Sequence, residues 1–351
     1  MAEPKNNIGE KMKETKNDYL KEVVEHCDIK KIDAVPIIEM YSKMSFQART
    51  LAYGAKLFEK MLKDEEVVII LTLAGSLFSA GLKNVVADLI ENNLIDAIVS
   101  TGAIIVDQDF FEALGFKHYI GRPDIDDKKL YKLHIDRIYD TYIDEDQLRI
   151  CDMKITEIAA HLQPGVYSSR EFIWEMGKYL KENGVKAEKS VILSSYEKKV
   201  PIFVPAFSDC SAGFGLIYHQ VKNPDRHVSI DSVKDFRELT YLKTKTQQTG
   251  ILMIGGGVPK NFTQDVVVAA DILDGKAFMH KYAIQITVAD VRDGALSSST
   301  LKEANSWGKV DSSNEQMIFS EATIAFPIIS AYVYQKVKNR KPRNCSDLFI
   351  S

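Results

Sequence analysis

The segment EVVIILTLAGSLFSAGLKNVVADLIENN, residues 66–93, constrains the fold of this chain more than any other. It opens with a continuous apolar run, the pattern of a strand buried on both faces. It turns at Gly75 and continues with helical period to Asn93. LIDAIVSTGAIIVDQDFFEALG repeats the plan: a strand ending near Val99, a small-residue turn at Ser100 to Ala103, and a helix closed by Gly115. TGILMIGGGVPKNFTQDVVVAADIL is a third copy, with Pro259 suited to a first helical turn. Strand, turn and helix in succession imply parallel strands joined by crossover helices. The expected fold class is α/β, a doubly wound, mostly parallel sheet with helices on both faces from Val67 onward.

The remaining pattern fits around that sheet. Ile37, Met40, Met44, Leu51, Phe58 and Leu62 recur at helical spacing before the first strand. In SSREFIWEMGKYLKENG, Ser168 and Glu171 can form a capping box and Gly184 can end the helix. SVILS and PIFVPAF read as strands, Ser229 to Lys243 as a helix, KYAIQITVAD as a strand and SEATIAFPIISAYVYQKVK as the closing helix. Between Gly121 and Gly165 the chain is charged and broken by Pro123 and Pro164, an excursion from the sheet. The expected organisation is an arm over 1–31, mobile or docked on a partner, one domain over 32–339 and a tail over 340–351.

A chain of 351 residues at 45% hydrophobic can bury a large core. The net charge of -4 and the lack of a dense Lys/Arg block argue against nucleic acid as a partner. No apolar run reaches the length of a membrane span, and the polar opening MAEPKNNIGEKMKETKNDY differs from a secretory signal. A cytoplasmic protein is expected. Cys27, Cys151, Cys210 and Cys345 lie far apart, so reduced thiols are expected; the seven scattered histidines suggest no metal site.

Ligands of open parallel sheets collect at the carboxyl ends of the strands. Three turns stand there: Ala74 to Ser76, Ser100 to Ala103 and Gly255 to Gly257. None has the G-x-G-x-x-G spacing, so each is a tight turn or a phosphate site. Asp209 in PAFSDCSAG and Glu321 in FSEAT suit ribose hydroxyls, or equally a turn aspartate and a helix cap. Lys309 in EANSWGKV sits behind a tryptophan and a glycine, with Glu303 upstream. Roughly 0.04% of an ordinary lysine is neutral at pH 7, so a nucleophilic one needs burial or neighbouring charge, which an indole can help supply. The alternative is an accident of packing.

At GGGVPKN, EANSWGKV and PAFSDCSAG together, the chain resembles the deoxyhypusine synthase family from about Ile32 to about Val337. GGGVPKNF, YAIQIT and SSREF are more similar to its prokaryotic synthase-like branch. The resemblance implies a homotetramer with a Rossmann-like fold, active sites shared between two subunits, and NAD-dependent transfer of an aminobutyl group. In such enzymes a lysine captures the butylamine part of spermidine as an imine. The fragment then passes to a lysine of the hypusine-carrying translation factor, or to putrescine in homospermidine synthases, with no net redox change. The resemblance places the imine on Lys309 and substrate contacts at Trp307 and Glu303. It places NAD at Ser79, Thr101, Asp209, Gly255, Gly256, Asp293, Gly294 and, with Glu in place of Asp, Glu321.

Departures accompany the likeness. Phe214 and Leu296 stand where the family has two aspartates that hold ammonium groups, Asn261 where it has a histidine, and Gln285 where it has a tyrosine. The N-terminal arm shows no motif match. Asp265 and Asp290 are candidates to compensate for the lost carboxylates. NAD chemistry is therefore expected to persist with altered polyamine recognition. Two other classes compete: an NAD-binding regulator without turnover, disfavoured by Lys309, Trp307 and Glu303 together, and an NAD-consuming deacylase, disfavoured by missing zinc cysteines.

Overall fold

The computed structural model describes residues 14–246, 248–275, 277–292 and 299–349. Eleven strands follow in chain order among them: β1 Val68–Leu73, β2 Ala97–Ser100, β3 His118–Ile120, β4 Ile135–Ile138, β5 Thr141–Asp144, β6 Gly165–Tyr167, β7 Ile202–Phe203, β8 Val228–Ile230, β9 Thr249–Ile254, β10 Tyr282–Thr287 and β11 Glu315–Phe319. Six form one parallel sheet in the order β11-β10-β9-β1-β2-β7. The expected doubly wound α/β architecture is observed. β1 shows why: Ile69, Leu71 and Leu73 enter one core, while Val68 and Ile70 enter the other, the two-residue period of a strand covered on both faces. One core is closed by Phe58, Phe78, Phe110 and Phe326, the other by Leu239, Leu242, Val266 and Leu301.

Two expectations change, and the excursion from the sheet gains a structure of its own. SVILS is a helix, Val191–Lys198, because Ser190 caps it and buried Asp109 accepts from Val191 N at 2.7 Å and Ile192 N at 2.9 Å. A short apolar run does not distinguish strand from buried helix, and here a carboxylate from another segment supplies the cap. PIFVPAF contributes only the two residues of β7. The charged excursion is ordered as an antiparallel sheet, β3-β5-β4, followed by the helix Glu145–His161, which Asp144 caps. The helix Ser169–Asn183 has the expected capping box and ends at Gly184.

Residues 14–28 lie along that small sheet. Val24 N donates to His118 O at 2.9 Å, Ile120 N to Glu22 O at 2.7 Å, and His26 Nε2 lies 2.7 Å from the buried carboxylate of Glu112. The four cysteines carry no disulfide. Among the described residues no helix is long and apolar enough to cross a membrane.

Candidate active site

β1 and β9 are neighbours at the centre of the sheet, and the chain winds away from them in opposite directions. A crevice forms at the carboxyl ends at such a reversal. There a cleft of about 250 Å³ is lined by Ala74, Gly75, Ser76, Gly255, Thr287 and Glu321. Gly255 has φ +76°, and a Cβ on it would stand 3.1 Å from Ala74 O, so glycine is what lets the two turns approach. Gly256 is the N-cap of the helix Gly257–Asp274. Glu321 caps the helix Ala322–Lys336, accepting from Thr323 N at 2.8 Å, and also forms part of the cleft wall. Ser79 is buried, its hydroxyl donating to Ser76 O at 2.9 Å, so it shapes the turn. Thr101, after β2, is half-buried and its Oγ1 has no protein partner. Gly102 packs directly on Cys210, which sets exposed Asp209 beside the Thr101 turn.

The Lys309 end of the candidate site is built from the C-terminus of a short helix, Leu301–Ser306. Its start is a capping box: Thr300 N donates to Glu303 Oε2 at 2.6 Å, and Glu303 N to Thr300 Oγ1 at 3.1 Å. Hydrogen bonds from Thr300, and then the charge of Lys260, hold the exposed Glu303 carboxyl below the usual range. Its end explains the Trp-Gly-Lys order. Trp307 is the C-cap, Gly308 takes φ +71°, Gly308 N donates to Asn305 O at 2.9 Å, and Lys309 N to Ala304 O at 3.0 Å. That pair of reversed bonds is a Schellman ending, in which glycine supplies the left-handed residue. Lys309 O then accepts from His280 N at 2.9 Å, and Asp311 N donates to His280 O at 3.0 Å. The lysine backbone is thereby fixed on both sides.

Lys309 Nζ lies 2.5 Å from Asp265 Oδ1 and 5.2 Å from the centroid of the Trp307 ring. The dry indole pocket expected from the sequence is not formed within one chain: Trp307 is 67% exposed. Of the two carboxylates expected to compensate for lost acids, Asp265 is engaged by Lys309, and Asp290 pairs with Arg292 at 2.9 Å. Phe214 is 66% exposed on the helix Ser211–Lys222. Gln285 is fully buried, accepting from Lys260 Nζ at 2.9 Å and donating to Gly255 O at 2.9 Å. Half-buried Asn261 follows Lys260 on the helix Gly257–Asp274. Asp293, Gly294 and Leu296 lie outside the described residues.

Two candidate groups escaped sequence reasoning. Lys260 is fully buried; burial, reinforced by the charge of Lys309 and opposed by Glu303, brings its pKa down to about 8. Its signal was positional, because a lysine in a first helical turn opposes the helix dipole. Asp107 accepts from Ser211 N at 2.8 Å; burial, with Asp152 and Asp209 nearby, pushes its carboxyl up to about 6. No pattern marked it within an apolar segment.

The deoxyhypusine synthase family model matches residues 36–333. A deoxyhypusine synthase-like protein of Chlorobaculum parvum is 63% identical over 322 residues, 92% of each chain. The chain belongs to the deoxyhypusine synthase family. The deoxyhypusine synthase-like protein of Coxiella burnetii is 57% identical over 342 residues, 97% of each chain. A solved structure described as a deoxyhypusine synthase of Entamoeba histolytica superimposes with a TM-score of 0.59 at 18% identity, covering 91% of this chain and 99% of that one. Within the deoxyhypusine synthase family, that last likeness speaks to fold.

Proposed function

We propose that the chain is an NAD-dependent aminobutyl-type transferase, resembling deoxyhypusine synthase, in which Lys309 carries the transferred fragment as an imine. The observation that carries the reading is the arrangement of Lys309 on a rigid Schellman ending, backed by His280, with Asp265 on its amine. A nucleophile fixed by backbone bonds presents its amine in one place, which is what covalent relay requires. NAD fits the crevice: the Gly255 turn admits close approach, small residues line the wall, and the Thr101 hydroxyl lacks a partner. Gly255, Gly256, Thr101, Asp209 and Glu321 would hold it together with Asp293 and Gly294, with buried Ser79 shaping the turn beneath, and when bound it would accept a hydride from the amine and return it. Lys309, once neutral, attacks the electrophilic carbon of the oxidised amine and the original amine departs. The acceptor amine then attacks the enzyme imine and frees Lys309. Glu303 and Trp307 would orient the cationic fragment, the indole by its ring face.

The acceptor is a lysine of the hypusine-carrying translation factor. A small-amine acceptor such as putrescine is the second reading, favoured by the exposed apolar Phe214 in place of a carboxylate. Assembly as a homotetramer would cover Trp307 and complete the pocket. The deciding experiment incubates protein, NAD and spermidine or putrescine, adds borohydride, and maps adducts by mass spectrometry. A butylamine-sized adduct on Lys309 is expected. No adduct with either amine, or one that persists elsewhere in Lys309→Ala, overturns the reading and leaves an NAD-binding protein without turnover.

A further inference from the structure

Lys260 bridges two segments that come from different parts of the chain. Its Nζ donates to Gln285 Oε1 at 2.9 Å and to Ser299 O at 2.5 Å, while Gln285 Nε2 donates to Gly255 O at 2.9 Å. A path of hydrogen bonds therefore runs from the glycine turn at the cleft, through Gln285 and Lys260, to the residue before Thr300. Thr300 caps the helix Leu301–Ser306, whose Schellman ending leads into Lys309. The lysine is 0% exposed, and it occupies the first turn of Gly257–Asp274, where the helix dipole disfavours a cation. A buried ammonium is a poor way to gain stability, since an apolar side chain of similar volume commonly does as well or better. What an apolar side chain lacks is the ability to hold two oxygens on two segments at once.

The charged and titratable groups around it come from four segments. Asp265 lies on its own helix; Glu303 and Lys309 face it from the last segment, and their charges are felt at Lys260. Behind it, His280 Nε2 bonds Thr263 O at 3.0 Å, and its Nδ1 bonds Thr249 Oγ1, which also accepts from Lys243. Burial, then the charge of Lys243, brings His280 down to about 3, so this ring stays neutral.

We propose that Lys260 is a positioning residue that couples the two ends of the site, so that occupancy of the cleft at Gly255 changes the presentation of the Lys309 amine. The inference deepens the proposed function and rests on it.

The test is reductive methylation by formaldehyde and cyanoborohydride, followed by peptide mapping, with and without NAD. Exposed Lys302 serves as the internal reference. In the unmodified protein NAD should change the ratio of Lys309 to Lys302 labelling by about fivefold or more, a usual size for coupling between sites. In Lys260→Met that shows bound NAD by equilibrium dialysis, the NAD effect should vanish; in Lys260→Arg part of it should return. If Lys260→Met does not fold, Gln285→Leu cuts the same path while leaving the lysine, and should abolish the effect equally. An undiminished NAD effect in either folded variant, or bound NAD with no effect in the unmodified protein, overturns this inference alone. Failure of the unmodified protein to bind NAD overturns the proposed function as well.

Discussion

The two lysines of the candidate site sit in opposite surroundings. Lys260 is sealed beneath the glycine turn, with its ammonium bonded to Gln285 and Ser299. Lys309 follows the helix Leu301–Ser306, its side chain 17% exposed, paired with half-exposed Asp265 and flanked by an open indole. One is held by its ammonium group, the other by its backbone. A buried ammonium that already has acceptors is committed to architecture, whereas an amine held at its base, with a partly exposed carboxylate as its ionic partner, is accessible for chemistry. The residue that a motif search finds is thus the open one, and the residue that fixes its setting is hidden.

The contrast can be broken most directly at Lys309. Lys309→Ala should lower transfer by at least about a thousandfold, because it removes the covalent carrier, with a stability change of about 1 kcal/mol or less from the partly exposed ion pair. Transfer activity and melting temperature measured on one preparation check both halves; a large melting shift with retained transfer would reverse the comparison. Lys260→Ala should show a substantial structural component. It leaves buried acceptors on Gln285 and Ser299 unbonded, at about 1–3 kcal/mol, to be read by urea denaturation. An unchanged midpoint would mean that the lysine is dispensable for architecture.

The two glycine turns sharpen the comparison further. Gly255→Ala meets both a positive φ and Ala74 O at 3.1 Å, whereas Gly308→Ala meets a positive φ with open space around it. Each should lose about 1–2 kcal/mol from the left-handed backbone, Gly255→Ala the more. NAD affinity should fall only in Gly255→Ala, while borohydride trapping at saturating NAD should fall in Gly308→Ala. A reversed pattern would show that the two ends of the site are assigned the wrong way round.

The effect that is smallest near neutral pH is on the acid limb of stability, through His280. Its folded pKa is about 3 and its ordinary value is higher, so the unfolded chain takes up the proton first as pH falls. The stabilising contribution is complete above about 6.5 and is lost progressively toward 3. His280→Gln should therefore flatten the melting-temperature profile between those limits. An identical slope in both proteins would show that the ring is not kept neutral.

The parts legible in the sequence were those whose signal is local. Three apolar runs followed by small-residue turns gave β1, β2 and β9 with their helices, and the Ser168–Glu171 box gave a helix start. The family match supports the resemblance read from GGGVPKN and EANSWGKV. What escaped depended on distant partners. Val191–Lys198 became a helix through Asp109, and β11 has only Ile318 fully buried, too thin an apolar pattern to stand out. Trp-Gly-Lys looks like a chemical motif in the sequence, whereas its glycine is first of all a backbone requirement of the Schellman ending. Nothing in GGGVPKN marks Lys260 as buried, because burial of a lysine is a property of the assembled fold.

The pairing of β1 with β9 also sets a timetable for making the protein. Val68 is registered against Thr249, so the centre of the sheet joins segments separated by most of the domain. At ribosomal speeds of about 5–20 residues per second, β1 waits on the order of 10–40 s before its central neighbour is synthesised. During that interval β2 is the only central partner it can have, and the other edge of an apolar strand stays unpaired. The same adjacency that opens a crevice in the finished molecule leaves the nascent chain dependent on shielding of that edge until β9 is made.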